Sequence, residues 1–118
     1  KRYTISSEEK TMTVPFVIED IDPIVEGGKV PYDITWIGVT SLASPSATVY
    51  KDGQDITSTA MTTGSDSVSG NVQTLKLIEA LSNHGGSKYV VNFTAVLDSG
   101  ETGVGKFTIP ILRPGDEG

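Results

Sequence analysis

Three carboxylates close together, Glu19, Asp20 and Asp22, are the first residues whose types and spacing could do chemistry. Hard cations such as calcium favour clustered carboxylate oxygens. The stretch lacks the glycine and closing glutamate of a helix–loop–helix calcium loop, so it reads as a solvated acidic linker. Asp52 and Asp55 flank a turn, and turn chemistry accounts for both. The single histidine, His84, stands among Asn83, Gly85 and Gly86 and reads as an exposed loop residue. A catalytic triad needs serine, base and orienting carboxylate in contact. No Gly-x-Ser-x-Gly elbow surrounds any serine here. Gly85, Gly86, Gly100, Gly103 and Gly105 belong to no complete phosphate-loop motif. Asn92-Phe93-Thr94 fits the glycosylation sequon but lies inside a strand pattern, where so short a match arises by chance. Tyr3 or Tyr50 could stack on a sugar ring, yet a lone aromatic on a strand is ordinary strand chemistry. The sequence therefore assigns no catalytic, cofactor-binding or metal residues and no cofactor, and predicts a protein that is not an enzyme.

The elements that would hold these residues centre on Leu75 to Leu97. Tyr89, Val91, Phe93, Ala95 and Leu97 alternate with Lys88, Asn92 and Thr94, the period of a strand with one buried face. Val90 and Val96 interrupt the polar face, which suggests that it too is partly covered. Leu81, the glycine-bearing segment 82–87 and Tyr89 form a corner between two strands. The Tyr89 ring is expected in the core, with its hydroxyl bonded to backbone across the corner.

Met12, Val14, Phe16 and Ile18 alternate along Thr11 to Ile18, with Pro15 marking an edge or a bulge. A second strand opens at Pro31, with Tyr32, Ile34 and the only tryptophan, Trp36, facing the core. Val39 to Ser46 reads as a loop or bend and Ala47 to Lys51 as a short strand. Asp52-Gly53 is the strongest hairpin signal. A return strand is expected over Ile56 to Met61, then a polar loop over Thr62 to Asn71 with a brief strand near Val68. Val72 to Glu79 reads as one strand with a bulge or two-sided burial, and Gln73 to Ser82 is the only place where a helix is conceivable. Asp98 to Gly103 reads as a hairpin loop. Val104 to Leu112 closes the domain with Phe107, Ile109 and Ile111 inward and Pro110 again marking an edge or bulge.

Seven short strands with turns between them predict an all-β fold, a single antiparallel two-sheet β-sandwich. Residues 1–10 are expected to be a polar N-terminal arm or loose first strand, 11–112 the sandwich and 113–118 a flexible tail. At 118 residues the chain has room for one domain. A net charge of −6 disfavours nucleic acid and anionic membrane surfaces. No apolar run reaches the roughly 20 residues that span a bilayer, and the polar start does not read as a signal peptide. With no cysteine, disulfides and thiolate sites are absent, and assembly in a cytosol is favoured over secretion.

PYDITW, followed by LSNHGGSKYVVNFTAVLDSGET, resembles immunoglobulin-like and fibronectin type III-like domains. In these a tryptophan lies on the second strand and a leucine–glycine–tyrosine corner leads into the sixth. The succession DPIVEGGKVPYDITW, ATVYKDGQDITST, SGNVQTLKLIEAL, GGSKYVVNFTAVLDSG and KFTIPIL further resembles small immunoglobulin-like virion proteins of tailed bacteriophages. That resemblance implies a structural part of the tail, neck or capsid surface, of the fibre–tail adaptor kind. It implies partners among other virion proteins, a homo-oligomer on a symmetric particle, and assembly in the host cytoplasm. Residues 1–18 and 104–112 are the candidate subunit-pairing strands. The alternative is a ligand-binding or adhesive module of a bacterial surface protein.

Overall fold

Alternation of apolar and polar residues over short spans, broken by glycine, proline and Asp-Gly, dictates strands joined by turns. The computed structural model describes residues 2–6, 16–18 and 21–115, the first two stretches as backbone alone. Its strands are β1 (Arg2–Ser6), β2 (Phe16–Ile18), β3 (Ile24–Val25), β4 (Lys29–Val30), β5 (Asp33–Ile37) and β6 (Leu42–Lys51). After these come β7 (Gln54–Asp55), the one-turn helix α1 (Thr57–Ala60), β8 (Ser67–Ser69), β9 (Val72–Thr74), β10 (Ile78–Glu79), β11 (Lys88–Leu97) and β12 (Thr102–Leu112). A smaller sheet runs β1-β5-β9-β8 and a larger one β2-β12-β11-β6-β7, with β3 also on β12; β4 and β10 form a separate pair. The all-β expectation holds, and the sheets pack around one shared core.

A chain of rings joins the sheets. Trp36 on β5 meets Phe93 on β11 edge to face at 5.9 Å, Phe93 meets Phe107 at 5.9 Å, and Phe107 meets Tyr32 at 5.2 Å. All four are buried, and such contacts add about 0.5–1.5 kcal/mol each beyond area burial. β12 makes room for them with glycine. A Cβ on Gly103 would lie 2.6 Å from the Trp36 ring, and one on Gly105 would enter the Phe93 ring.

Several local expectations hold. β11 alternates as read, with Tyr89, Val91, Phe93, Ala95 and Leu97 buried. Tyr32, Ile34 and Trp36 point inward, as do Phe107, Ile109 and Ile111. Asp52 (φ 53°) and Gly53 (φ 79°) make the two-residue hairpin turn between β6 and β7. The brief strand near Val68 is β8.

Other expectations are corrected. Val39 to Ser46 is not a loop throughout, because β6 begins at Leu42. Its register on β11 shifts between Thr94↔Ser46 and Val96↔Ala43. Ser44, at φ 50°, and Pro45 thus form a bulge inside a long strand. The return strand ends at Asp55, and Thr57 to Ala60 is helical. Asp55 accepts the Thr57 N–H and hydroxyl, turning the chain out of the ladder. The one helix among the described residues therefore lies outside 73–82.

Val72 to Glu79 is two strands. Gln73 and Leu75 are buried, then Ile78 and Ala80, so the inward phase slips by one residue at Lys76–Leu77. There the Leu77 N–H turns to the Thr63 carbonyl and the Lys76 N–H to Asp66. The sheets are also not purely antiparallel: β1 lies parallel to β5, and β2 and β3 lie parallel to β12. Of the Thr11 to Ile18 strand, residues 16–18 form β2 and the remainder lies outside the described residues.

Candidate functional site

The densest meeting of polar side chains is the corner between β10 and β11. Two turns in succession build it, closed by the His84 N–H on the Leu81 carbonyl and the Ser87 N–H on the His84 carbonyl. Their third residues, Asn83 (φ 68°) and Gly86 (φ 88°), take the positive φ such turns require. Gly85 fits between Glu26 and Arg113; its N–H donates to the Glu26 carboxylate at 2.7 Å, and a Cβ there would lie 2.9 Å from the Arg113 backbone.

Tyr89 is buried, and its hydroxyl oxygen accepts the Leu81 N–H at 3.0 Å. The hydroxyl also shares a hydrogen bond with His84 Nδ1, 2.6 Å away; with the phenol as donor, that nitrogen accepts and the imidazole proton sits on Nε2. The rings meet edge to face at 5.6 Å. Burial pushes the Tyr89 hydroxyl above its ordinary titration range; the Leu81 N–H and Lys51 oppose the rise, while Glu79 and Glu26 add to it. The Tyr89 role read from sequence is thus met in geometry. His84 is corrected: it is half-buried and fills the corner. The pair secures a turn, with the phenol buried and the imidazole half-buried.

At the opposite end of the ribbon, Asp98 accepts the Thr40 N–H at 3.1 Å and also the Thr40 hydroxyl. The Thr40 hydroxyl and then its N–H hold the Asp98 carboxyl below the ordinary carboxylate range. Thr57, hydroxyl first, does the same to Asp55. Thr57 Oγ1 in turn accepts the Val49 N–H at 2.9 Å, finishing the side of β6 that β7 leaves.

Inside the core, Gln73 is the one buried polar side chain among the described residues. Its Oε1 accepts the Trp36 indole N–H at 3.1 Å, and its Nε2 donates to the Thr94 carbonyl at 2.9 Å and, weakly, to the Ser46 carbonyl at 3.5 Å. Those carbonyls border the β6 bulge, so one amide ties the smaller sheet to the interrupted ladder of the larger. Sequence reading missed Gln73; its signal was a polar residue in phase with Leu75.

The remaining candidates disperse. Glu19, Asp20 and the Tyr3 side chain lie outside the described residues. No cluster of three potential metal ligands occurs among the described residues. Asn92 sits in mid-strand between β12 and β6. Gly100 to Lys106 matches all but the last position of a phosphate loop, with Phe107 in the place of Ser or Thr. That motif needs a helix to follow, whereas here β12 follows, and Gly103 and Gly105 serve ring packing. The pairing strand 104–112 is not an edge, since β11 flanks it on one side and β2 and β3 on the other. Ile111 donates its N–H to the Ser87 carbonyl and accepts the Gly86 N–H, both just ahead of β11, so Pro110 faces the gap between β2 and β3, where its missing donor costs nothing. No described helix is long and apolar enough to cross a membrane. No protein-family model, curated protein or solved structure matches the chain.

Proposed function

We propose that this chain is a non-enzymatic structural protein of a tailed-phage particle, a tail, neck or capsid-surface component that acts by packing against copies of itself and neighbouring virion proteins. The fold proposed for it is the immunoglobulin-like sandwich. The sheet orders β1-β5-β9-β8 and β2-β12-β11-β6-β7 correspond to A-B-E-D and A′-G-F-C-C′ of that fold, and the Tyr89 corner favours the same reading. The parallel β1–β5 pairing departs from it.

One observation carries the structural role. The polar groups best suited to chemistry are engaged in holding the chain to itself: His84 on Tyr89, Glu26 on Gly85, Asp55 on Thr57, Asp98 on Thr40. The consequence is a scaffold with fixed loops, which suits a subunit whose work is to present a rigid surface. The virion placement rests on the sequence resemblance.

Light scattering on the purified protein over a range of concentrations, with calcium or a chelator, tests this reading. The expected result is a defined oligomer, a ring, trimer or hexamer, unchanged by the chelator. A monomer that binds a glycan on an array overturns it in favour of an adhesive surface module.

A further inference from the structure

The outer face of the larger sheet stands out once its edges are considered. At the β6–β7 edge a new strand has little to add to. β7 is two residues long, Pro45 and the bulge interrupt β6, and Thr57 takes the Val49 N–H. The face itself mixes apolar residues with Ser, Thr, Asn and two lysines. Val90 and Val96 on β11, Val104 and Leu112 on β12, and Tyr50 on β6 all lie on it, half-buried. The outward positions of β6, β11 and β12 carry two charges, the exposed Lys88 and Lys106. The carboxylate of Asp55, on β7 opposite Tyr50, sits at the rim and is bonded to Thr57. In a chain of net charge −6, this face is a local cationic patch.

The same ribbon ends in the Asp98–Glu101 hairpin. Asp98, Ser99, Gly100 and Glu101 are exposed, and no lysine or arginine lies among them. The Asp98–Thr40 bonds hold the hairpin in place, so docking it would cost little ordering entropy. The acidic hairpin at the β6–β7 end suits less well, because Lys51 already pairs with Asp52.

We propose that the outer face of the larger sheet is a docking surface for a second copy of this chain, which seats its Asp98–Glu101 hairpin against Lys88 and Lys106. This rests on the reading of the chain as a self-assembling subunit. The contact is head to tail, since two such faces laid on each other would oppose lysine to lysine. Repetition then closes a ring or extends a fibre. Three strands about 33 Å long at about 4.8 Å spacing offer about 450 Å². That is roughly half the 800 Å² or so per partner of a standard stable interface, so each contact is weak and the assembly depends on repetition.

Sedimentation velocity on the full chain at tens to hundreds of micromolar tests this, using wild type, K88E/K106E and E101K. All substituted positions are exposed, and Trp36 fluorescence checks that each variant is folded. Wild type is expected to associate, more weakly as salt rises. Each variant should lose association at least tenfold, and an equimolar mixture of the two should associate more than either alone. If wild type and both variants associate equally, this docking mode is overturned while the self-assembling subunit stands. If wild type is monomeric throughout, this docking mode is overturned, and glycan binding by that monomer overturns the subunit reading as well.

Discussion

Removing one oxygen atom tests the corner most directly. In Y89F the ring keeps its place in the core, while the Leu81 N–H loses its acceptor and His84 Nδ1 loses its donor. Leaving a partly buried donor unmatched costs about 1–3 kcal/mol. A chain of this length gains about 0.25 kcal/mol/K of unfolding entropy, so a loss of about 2 kcal/mol lowers Tm by about 8 °C. Urea unfolding followed by Trp36 fluorescence measures the change at constant slope. H84A should cost less, because the Leu81 bond survives. The Y89F/H84A double variant should cost less than the sum of the two single variants, since both break the same bond. A Y89F protein within about 0.3 kcal/mol of wild type would refute the claim that the hydroxyl holds the corner. The same bond has a pH signature. Burial raises the folded-state value of Tyr89 above that of the unfolded chain. Its contribution is therefore complete below the ordinary tyrosine range near pH 10 and is lost as pH rises through the folded value. Alkaline unfolding should be shallower in Y89F.

Three further outcomes are expected. Q73L removes the partner of the Trp36 indole and a donor to Thr94, and should cost about 2–4 kcal/mol by chemical denaturation; a neutral result would mean that the bulge needs no tie. G105V pushes a side chain into the Phe93 ring and should destabilise by about 1–3 kcal/mol or more, whereas an unchanged midpoint would contradict the ring packing. Carboxyl NMR titration should find Asp98 and Asp55 ionising below the ordinary aspartate range, so that any stability they lend is present at neutral pH and lost as pH falls through their folded values; T40V should return Asp98 toward the ordinary range.

Where period two was uninterrupted, sequence and structure agree. Lys88 to Leu97 and the inward set Phe107, Ile109, Ile111 needed only alternation, and Asp52-Gly53 needed only positive φ at two successive residues. Disagreement arose where one residue was added or where a side chain competed with the ladder. Ser44-Pro45 looked like a loop, yet a bulge absorbs the extra residue and the strand continues. Asp55 captured Thr57 and replaced a strand by a helical turn. The phase slip at Lys76–Leu77 was visible as faulty alternation, but not that Thr63 and Asp66 would complete it. His84 looked exposed because its neighbours are turn formers, and nothing local shows that Tyr89, five residues on, reaches back to it. Pro110 signalled an edge, and what it marks is a gap in a strand otherwise paired on both sides. Strand partners so far apart in the chain leave no local trace.

That last strand has a consequence for how the molecule comes into being. β2 and β3 leave the ribosome well before β12, the strand they pair with. During synthesis their backbone groups have no native partner in the larger sheet. β6 and β11 can pair beforehand, so the sheet grows from its middle and is closed by segments made before them. Closure awaits translation of Leu112, which makes the final step slow and nearly all-or-none. A nascent chain stalled before β12 should remain sensitive to protease over residues 16–25, and one released beyond it should not.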